Sequence, residues 1–132
     1  MQALIPPTSA APLSSDLYAH LLADQKRSYA VEPSAEELQF RMRELESKVE
    51  RLKSLGVQCA FLEMPIDYSL VNLPLASKIR AAFLRSFPPY RYLWIRPELA
   101  CVYATTDGIH LTAEEAAKYA VHVREQLMRI PE

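Results

Sequence analysis

Asp107 and His110 stand three residues apart in Thr105-Thr106-Asp107-Gly108-Ile109-His110-Leu111-Thr112, on a glycine-containing turn directly ahead of a capped helix. A carboxylate and an imidazole at that spacing suit a base and its orienting acid. The acid accepts a hydrogen bond from Nδ1–H, fixes the tautomer and stabilises the imidazolium, while Nε2 takes a proton from a hydroxyl. With both groups on one loop, local backbone rather than long-range packing sets their geometry. The chemistry such a pair would serve is acyl transfer through a serine. The plainer alternative is a common Asp-Gly turn, with Asp107 as a cap and His110 bonded to a carbonyl.

Such a pair needs a nucleophile on a tight glycine turn and an oxyanion hole. The chain has two glycines, Gly56 and Gly108. The first is placed to end a helix and the second belongs to the Asp–His turn. The oxyanion hole usually supplies the largest electrostatic term in acyl transfer. This chain alone is therefore expected to show little esterase activity.

The elements that must position the pair are legible from periodicity. Residues 1–15 are rich in Pro, Ser, Thr and Ala and read as a flexible tail, and residues 16–30 as a short helix with Leu17, Tyr18, Leu21 and Leu22 on one side. Ser34 followed by Glu37 predicts a capping box, and Leu38, Met42, Leu45, Val49 and Leu52 then form an apolar stripe. Its four–three alternation also suits a paired helix, but it runs for fewer than three heptads. Gly56 is placed for a left-handed cap. Residues 57–64 are apolar on both faces and predict a buried parallel strand stopped by Pro65. A helix over 75–87 follows, with Ile79, Phe83 and Phe87 on one face, and Pro88-Pro89 ends it. Residues 90–95 predict a second strand, with Tyr90, Tyr92 and Trp94 on one face as core packing. After a short apolar piece over 99–104 and the Asp–His turn, a helix over 113–129 is capped by Thr112 with Glu115. Its expected buried side is Ala116, Ala120, Val123 and Leu127. Helices alternating with strands indicate α/β units on a parallel sheet. Two or three strands make that sheet thin, like half of a domain.

Composition excludes several classes. At 132 residues the chain is one small domain, and a formal net charge of -1 argues against binding nucleic acid by phosphate neutralisation. No apolar run is long enough for a membrane span. The N-terminus has no basic flank and is broken by Pro6, Pro7 and Pro12, so it does not read as a secretory signal. Cys59 reads as a small core residue, and nothing near Cys101 suggests an activated thiol. His20, His110 and His122 lack metal-ligand spacing, and no cofactor is expected. Glu63 and Asp67 read as a solvated strand end, the alternative being contacts to substrate hydroxyls.

Thr106-Asp107-Gly108-Ile109-His110-Leu111-Thr112, followed by Ala116, Ala117 and Tyr119, resembles the C-terminal block of SGNH/GDSL hydrolases. In that block an Asp-x-x-His-Leu segment precedes a helix opening with small residues. The amphipathic helix, Leu55-Gly56-Val57 and a strand ending in Met64-Pro65 are also similar to SGNH-like proteins, above all the branch related to alginate-type O-acetyltransferases. The likeness spans roughly residues 33–127, and the Asp107–His110 block is its specific part. It implies a partial flavodoxin-like, three-layer α/β fold with a small parallel sheet. It also implies Asp107 as orienting acid and His110 as general base. The family's Gly-Asp-Ser nucleophile block has no match, and neither do its Gly and Asn oxyanion blocks. Ser14-Ser15-Asp16 is the nearest imitation of the first, but no strand precedes it.

Residues 16–132 are accordingly expected to form the C-terminal half of an SGNH-like esterase or O-acyltransferase acting on an acyl ester or carbohydrate. The nucleophile lobe would be supplied from elsewhere, and the compartment is left open, a periplasmic or extracellular place being an option for a longer parent. The competing expectation is a non-catalytic α/β module that binds a partner, or a second copy, through its open sheet edge.

Overall fold

The computed structural model describes residues 14–98 and 101–130, so the Pro/Ser-rich stretch 1–13 lies outside the described residues. Six elements follow in order: α1 (Ser15–Tyr29), α2 (Ala35–Ser54), β1 (Ala60–Leu62), α3 (Pro74–Ser86), β2 (Leu93–Ile95) and α4 (Ala113–Met128). The architecture is mixed α/β, with β1 and β2 paired in parallel as Ala60 with Leu93, Phe61 with Trp94 and Leu62 with Ile95.

Local chemistry accounts for the helix ends. Ser14 caps α1 by accepting from Leu17 N–H at 3.2 Å, so Ser14 and Ser15 belong to the helix rather than to the tail. Ser34 and Thr112 likewise accept from Glu37 N–H and Glu115 N–H. Neither capping box closes reciprocally. Glu37 bonds Arg41 instead, Glu115 lies 3.6 Å from Lys118, and Thr112 N–H donates to the Ala104 carbonyl. At the end of α2, Gly56 takes φ +82°, Val57 N–H reaches the Leu52 carbonyl and Gly56 N–H that of Lys53. That pair of bonds is the Schellman arrangement, and it reverses the chain toward β1.

Both strands are shorter than the apolar runs that predict them. Pro65 has no N–H to continue a ladder after β1. Pro88-Pro89 throws residues 90–92 into a turn, in which Arg91 and Tyr92 N–H both donate to the Pro88 carbonyl. Tyr90 is consequently exposed and outside the strand. Tyr92 and Trp94 do join the core: Phe61 stacks on Phe87 at 4.4 Å and on Trp94 at 5.1 Å, with the Tyr92 edge at 5.6 Å. The Phe61–Trp94 face of the sheet is thus covered by Phe83 and Phe87 at the end of α3.

The expected two-sided burial of β1 is not found. Ala60 is exposed, and Leu62 keeps 47% of its surface in solvent. The sheet has two strands, so nothing among the described residues flanks β1 on its open edge. The apolar stripe of α2 is found in part, with Met42 and Val49 buried and Leu38 and Leu45 half-buried, but Leu52 at its end is exposed. That of α4 is not. Its buried residue is Tyr119, while Ala116, Ala120 and Leu127 face solvent. The reason is polar: Tyr119 Oη donates to the Glu63 carbonyl and the His122 ring lies 2.8 Å from the Arg96 carbonyl. Those carbonyls lie just past the ends of β1 and β2, so backbone acceptors at the strand ends set the rotation of α4 about its axis.

Candidate active site at the Asp–His turn

The two predicted residues meet. His110 Nδ1 lies 2.6 Å from Asp107 Oδ2. Asp107 Oδ1 meanwhile accepts from Ile109 N–H at 3.0 Å and His110 N–H at 2.8 Å. One carboxylate therefore performs both sequence readings, shaping the turn through one oxygen and holding the imidazole through the other. Thr112, not Asp107, caps α4. Burial alone would push the Asp107 carboxyl upward. Bonds from the His110 ring and the two amides outweigh that effect and hold it below the usual carboxylate range. Its oxygens are thus acceptors at neutral pH, and the matching ring state carries a proton on Nδ1. The His110 side chain is 72% exposed and that of Asp107 23%. Among the described residues Nε2 has no hydrogen-bond partner, which leaves it open to an incoming hydroxyl.

The turn is closed by backbone bonds on both sides. Thr105 and Leu111 form an antiparallel bridge, Thr106 N–H donates to the His110 carbonyl at 2.8 Å, and Thr112 N–H donates to the Ala104 carbonyl. Gly108 sits at its tip with φ +101°, a conformation that strains any residue with a Cβ. A Cβ there would also lie 2.9 Å from Leu22 Cδ1 and 3.3 Å from Leu70 Cδ1. Packing against α1 and the loop after β1 therefore demands glycine twice over.

A cavity of about 580 Å³ opens where β1 and β2 end, lined by Met64, Ile66, Tyr68, Val71, Arg96 and Val102 among others. Open α/β sheets place ligands at the carboxyl ends of their strands. Glu63 and Asp67, read as a solvated strand end, are instead committed. Glu63 pairs with Arg80 Nε at 2.8 Å, and Arg80 also donates twice to the Val71 carbonyl. Asp67 Oδ2 accepts from the Tyr18 hydroxyl at 2.8 Å. Asp67 is thus occupied through both carboxylate oxygens, its Oδ1 taking the Ser69 amide and hydroxyl, and Glu63 through Oε1. Cys101 is exposed, and its thiol, 3.3 Å from Glu98 Oε2, is pushed up chiefly by that hydrogen bond, the opposite of an activated nucleophile.

Comparison with known proteins finds no matching family model, no matching curated protein and no matching solved structure. Tyr18 and Thr105 are the residues at the turn that sequence reasoning missed. Tyr18 reads as one more member of an apolar helix face, and its polar partners lie 49 and 87 residues away, so no local signal marks it.

Proposed function

We propose that this chain carries the acid–base half of an SGNH-like serine esterase or O-acyltransferase, within a flavodoxin-like three-layer domain whose remaining strands and nucleophile come from another segment. The observation that carries the reading is the 2.6 Å contact between Asp107 and a largely exposed His110 ring. In the reaction, His110 Nε2 takes the proton of a serine hydroxyl as its oxygen attacks the ester carbonyl. Asp107 stabilises the imidazolium, which then protonates the departing alkoxide. Water or a carbohydrate hydroxyl next gives its proton to Nε2 and attacks the acyl-serine, and the imidazolium returns that proton to the departing serine oxygen as acid or ester is released. The test is ester hydrolysis by the polypeptide that joins this chain to a strand followed by Gly-Asp-Ser. His110→Ala should lower kcat by roughly 10²–10⁴-fold, and unchanged activity removes the base role.

A second reading is favoured by β1 itself, whose edge and Ala60–Leu62 face are left open, with Val57 and Met64 exposed beside them. Such an edge suits strand addition from a partner or a second copy. Light scattering decides it: a monomer across the accessible concentration range counts against self-association.

A further inference from the structure

Gly108 is gripped through both of its backbone polar groups. Its N–H donates to Thr105 Oγ1 at 2.9 Å, and its carbonyl accepts from Asp67 N–H at 2.7 Å. Thr105 Oγ1 also lies 3.1 Å from the Tyr18 hydroxyl, which itself donates to Asp67 Oδ2 at 2.8 Å. Counting donors fixes every proton in this set. An ionised carboxylate only accepts, so the single Tyr18 proton points to Asp67. Thr105 must then donate to the Tyr18 oxygen, which leaves its own lone pair for Gly108 N–H.

The bonds therefore run one way, from Gly108 N–H through Thr105 and Tyr18 to the Asp67 carboxylate, and Asp67 N–H returns to the Gly108 carbonyl. The ring is closed. The second Asp67 oxygen is occupied by Ser69, through its amide at 2.9 Å and its hydroxyl at 2.6 Å. Thr105 is only 8% exposed, so its hydroxyl lies largely out of competing water. Hydroxyls that donate and accept at once strengthen one another, and the charge at the end polarises the whole series. Burial raises the Asp67 carboxyl, but the Ser69 and Tyr18 bonds outweigh it and hold it below its ordinary range, as a terminal acceptor needs.

We propose that Asp67, acting through Tyr18 and Thr105, is a positioning residue for the Asp107–His110 pair: the ring clamps the Gly108 peptides so that carboxylate and imidazole meet. The catalytic consequence rests on the acyl-transfer reading above, whereas the geometric one has its own readout. The experiment is two-bond 1H–15N correlation NMR on the labelled full chain in mildly alkaline buffer, which reports whether Nδ1 or Nε2 of His110 carries the proton. Wild type should show the Nδ1–H tautomer, and Asp107→Asn should lose it. Tyr18→Phe and Thr105→Val should each shift the tautomer ratio toward Nε2–H by about fivefold, the worth of one ordinary hydrogen bond. Thr105→Ser, which keeps the hydroxyl, should behave as wild type. If Tyr18→Phe and Thr105→Val keep the wild-type ratio while Asp107→Asn does not, the positioning role is overturned and the acid–base pair stands. If wild type itself shows the Nε2–H form, the pair and the clamp both fail. Should Thr105→Val not fold, Tyr18→Phe carries the test, since it removes one oxygen from a half-buried ring.

Discussion

Gly108→Ala should destabilise the protein by roughly 2–4 kcal/mol, and two separate terms make up that figure. The backbone at φ +101° strains a Cβ-bearing residue by roughly 1–2 kcal/mol. The new methyl then meets Leu22 Cδ1 at 2.9 Å and Leu70 Cδ1 at 3.3 Å. Leu22 is half-buried at the surface of α1 and can turn aside. Leu70 is fully enclosed and yields only by shifting its neighbours, so the overpacking sits near the lower end of the usual range, roughly 1–2 kcal/mol. Gly56→Ala is the matched control. Its φ of +82° carries similar strain, but nothing lies within 4 Å of the added methyl. Both variants gain equally from a less flexible unfolded chain, so the difference between them isolates packing at the turn. Urea unfolding followed by circular dichroism reads it: Gly108→Ala should show the lower midpoint at an unchanged slope. Equal midpoints would mean that the turn is not seated against Leu22 and Leu70, and the account of how the Asp–His pair is held would be wrong.

Three further outcomes follow from the same structure. Asp67 and Asp107 both titrate below the ordinary carboxylate range when folded. Their stabilisation is therefore complete above about pH 4 and is lost as pH falls through the lowered values. Urea midpoints should drop on acidification below that point, less steeply in Asp67→Asn, and an identical drop in the variant would exclude Asp67 as a source. The Tyr119 hydroxyl is pushed up to about 12, chiefly by burial. The neutral form it favours stabilises the fold below about pH 10, and that contribution is lost between there and its folded value. Absorbance titration should show a tyrosine ionising near that value, and its absence in Tyr119→Phe confirms the assignment. Phe61→Ala removes the ring that stacks on both Phe87 and Trp94, at a cost of about 2–4 kcal/mol for a half-buried aromatic. It should also flatten the near-ultraviolet circular dichroism, and a retained tryptophan band would refute the stacking.

The parts of this protein legible in residue order are those whose partners lie within a few residues. The caps at Ser34 and Thr112, the glycine that ends α2 and the four–three stripe of Met42 and Val49 are settled by bonds and faces inside one or two turns of helix. The Asp107–His110 pairing was legible too, because an aspartate that organises its own turn brings residue i+3 to its second oxygen, although what steadies that turn lies far away in the chain. Distance along the chain marks where that legibility ends. Strand extent depended on which neighbour was present to accept a ladder, so an eight-residue apolar run yielded the three-residue strand Ala60–Leu62. The buried face of α4 was decided by carbonyls at Glu63 and Arg96, which turned Tyr119 and His122 inward and the alanines outward. The ring through Tyr18, Asp67 and Thr105 joins three segments that share no pattern. Hydrogen bonds between such segments exist only once packing has brought them together, and for that reason residue order alone does not announce them.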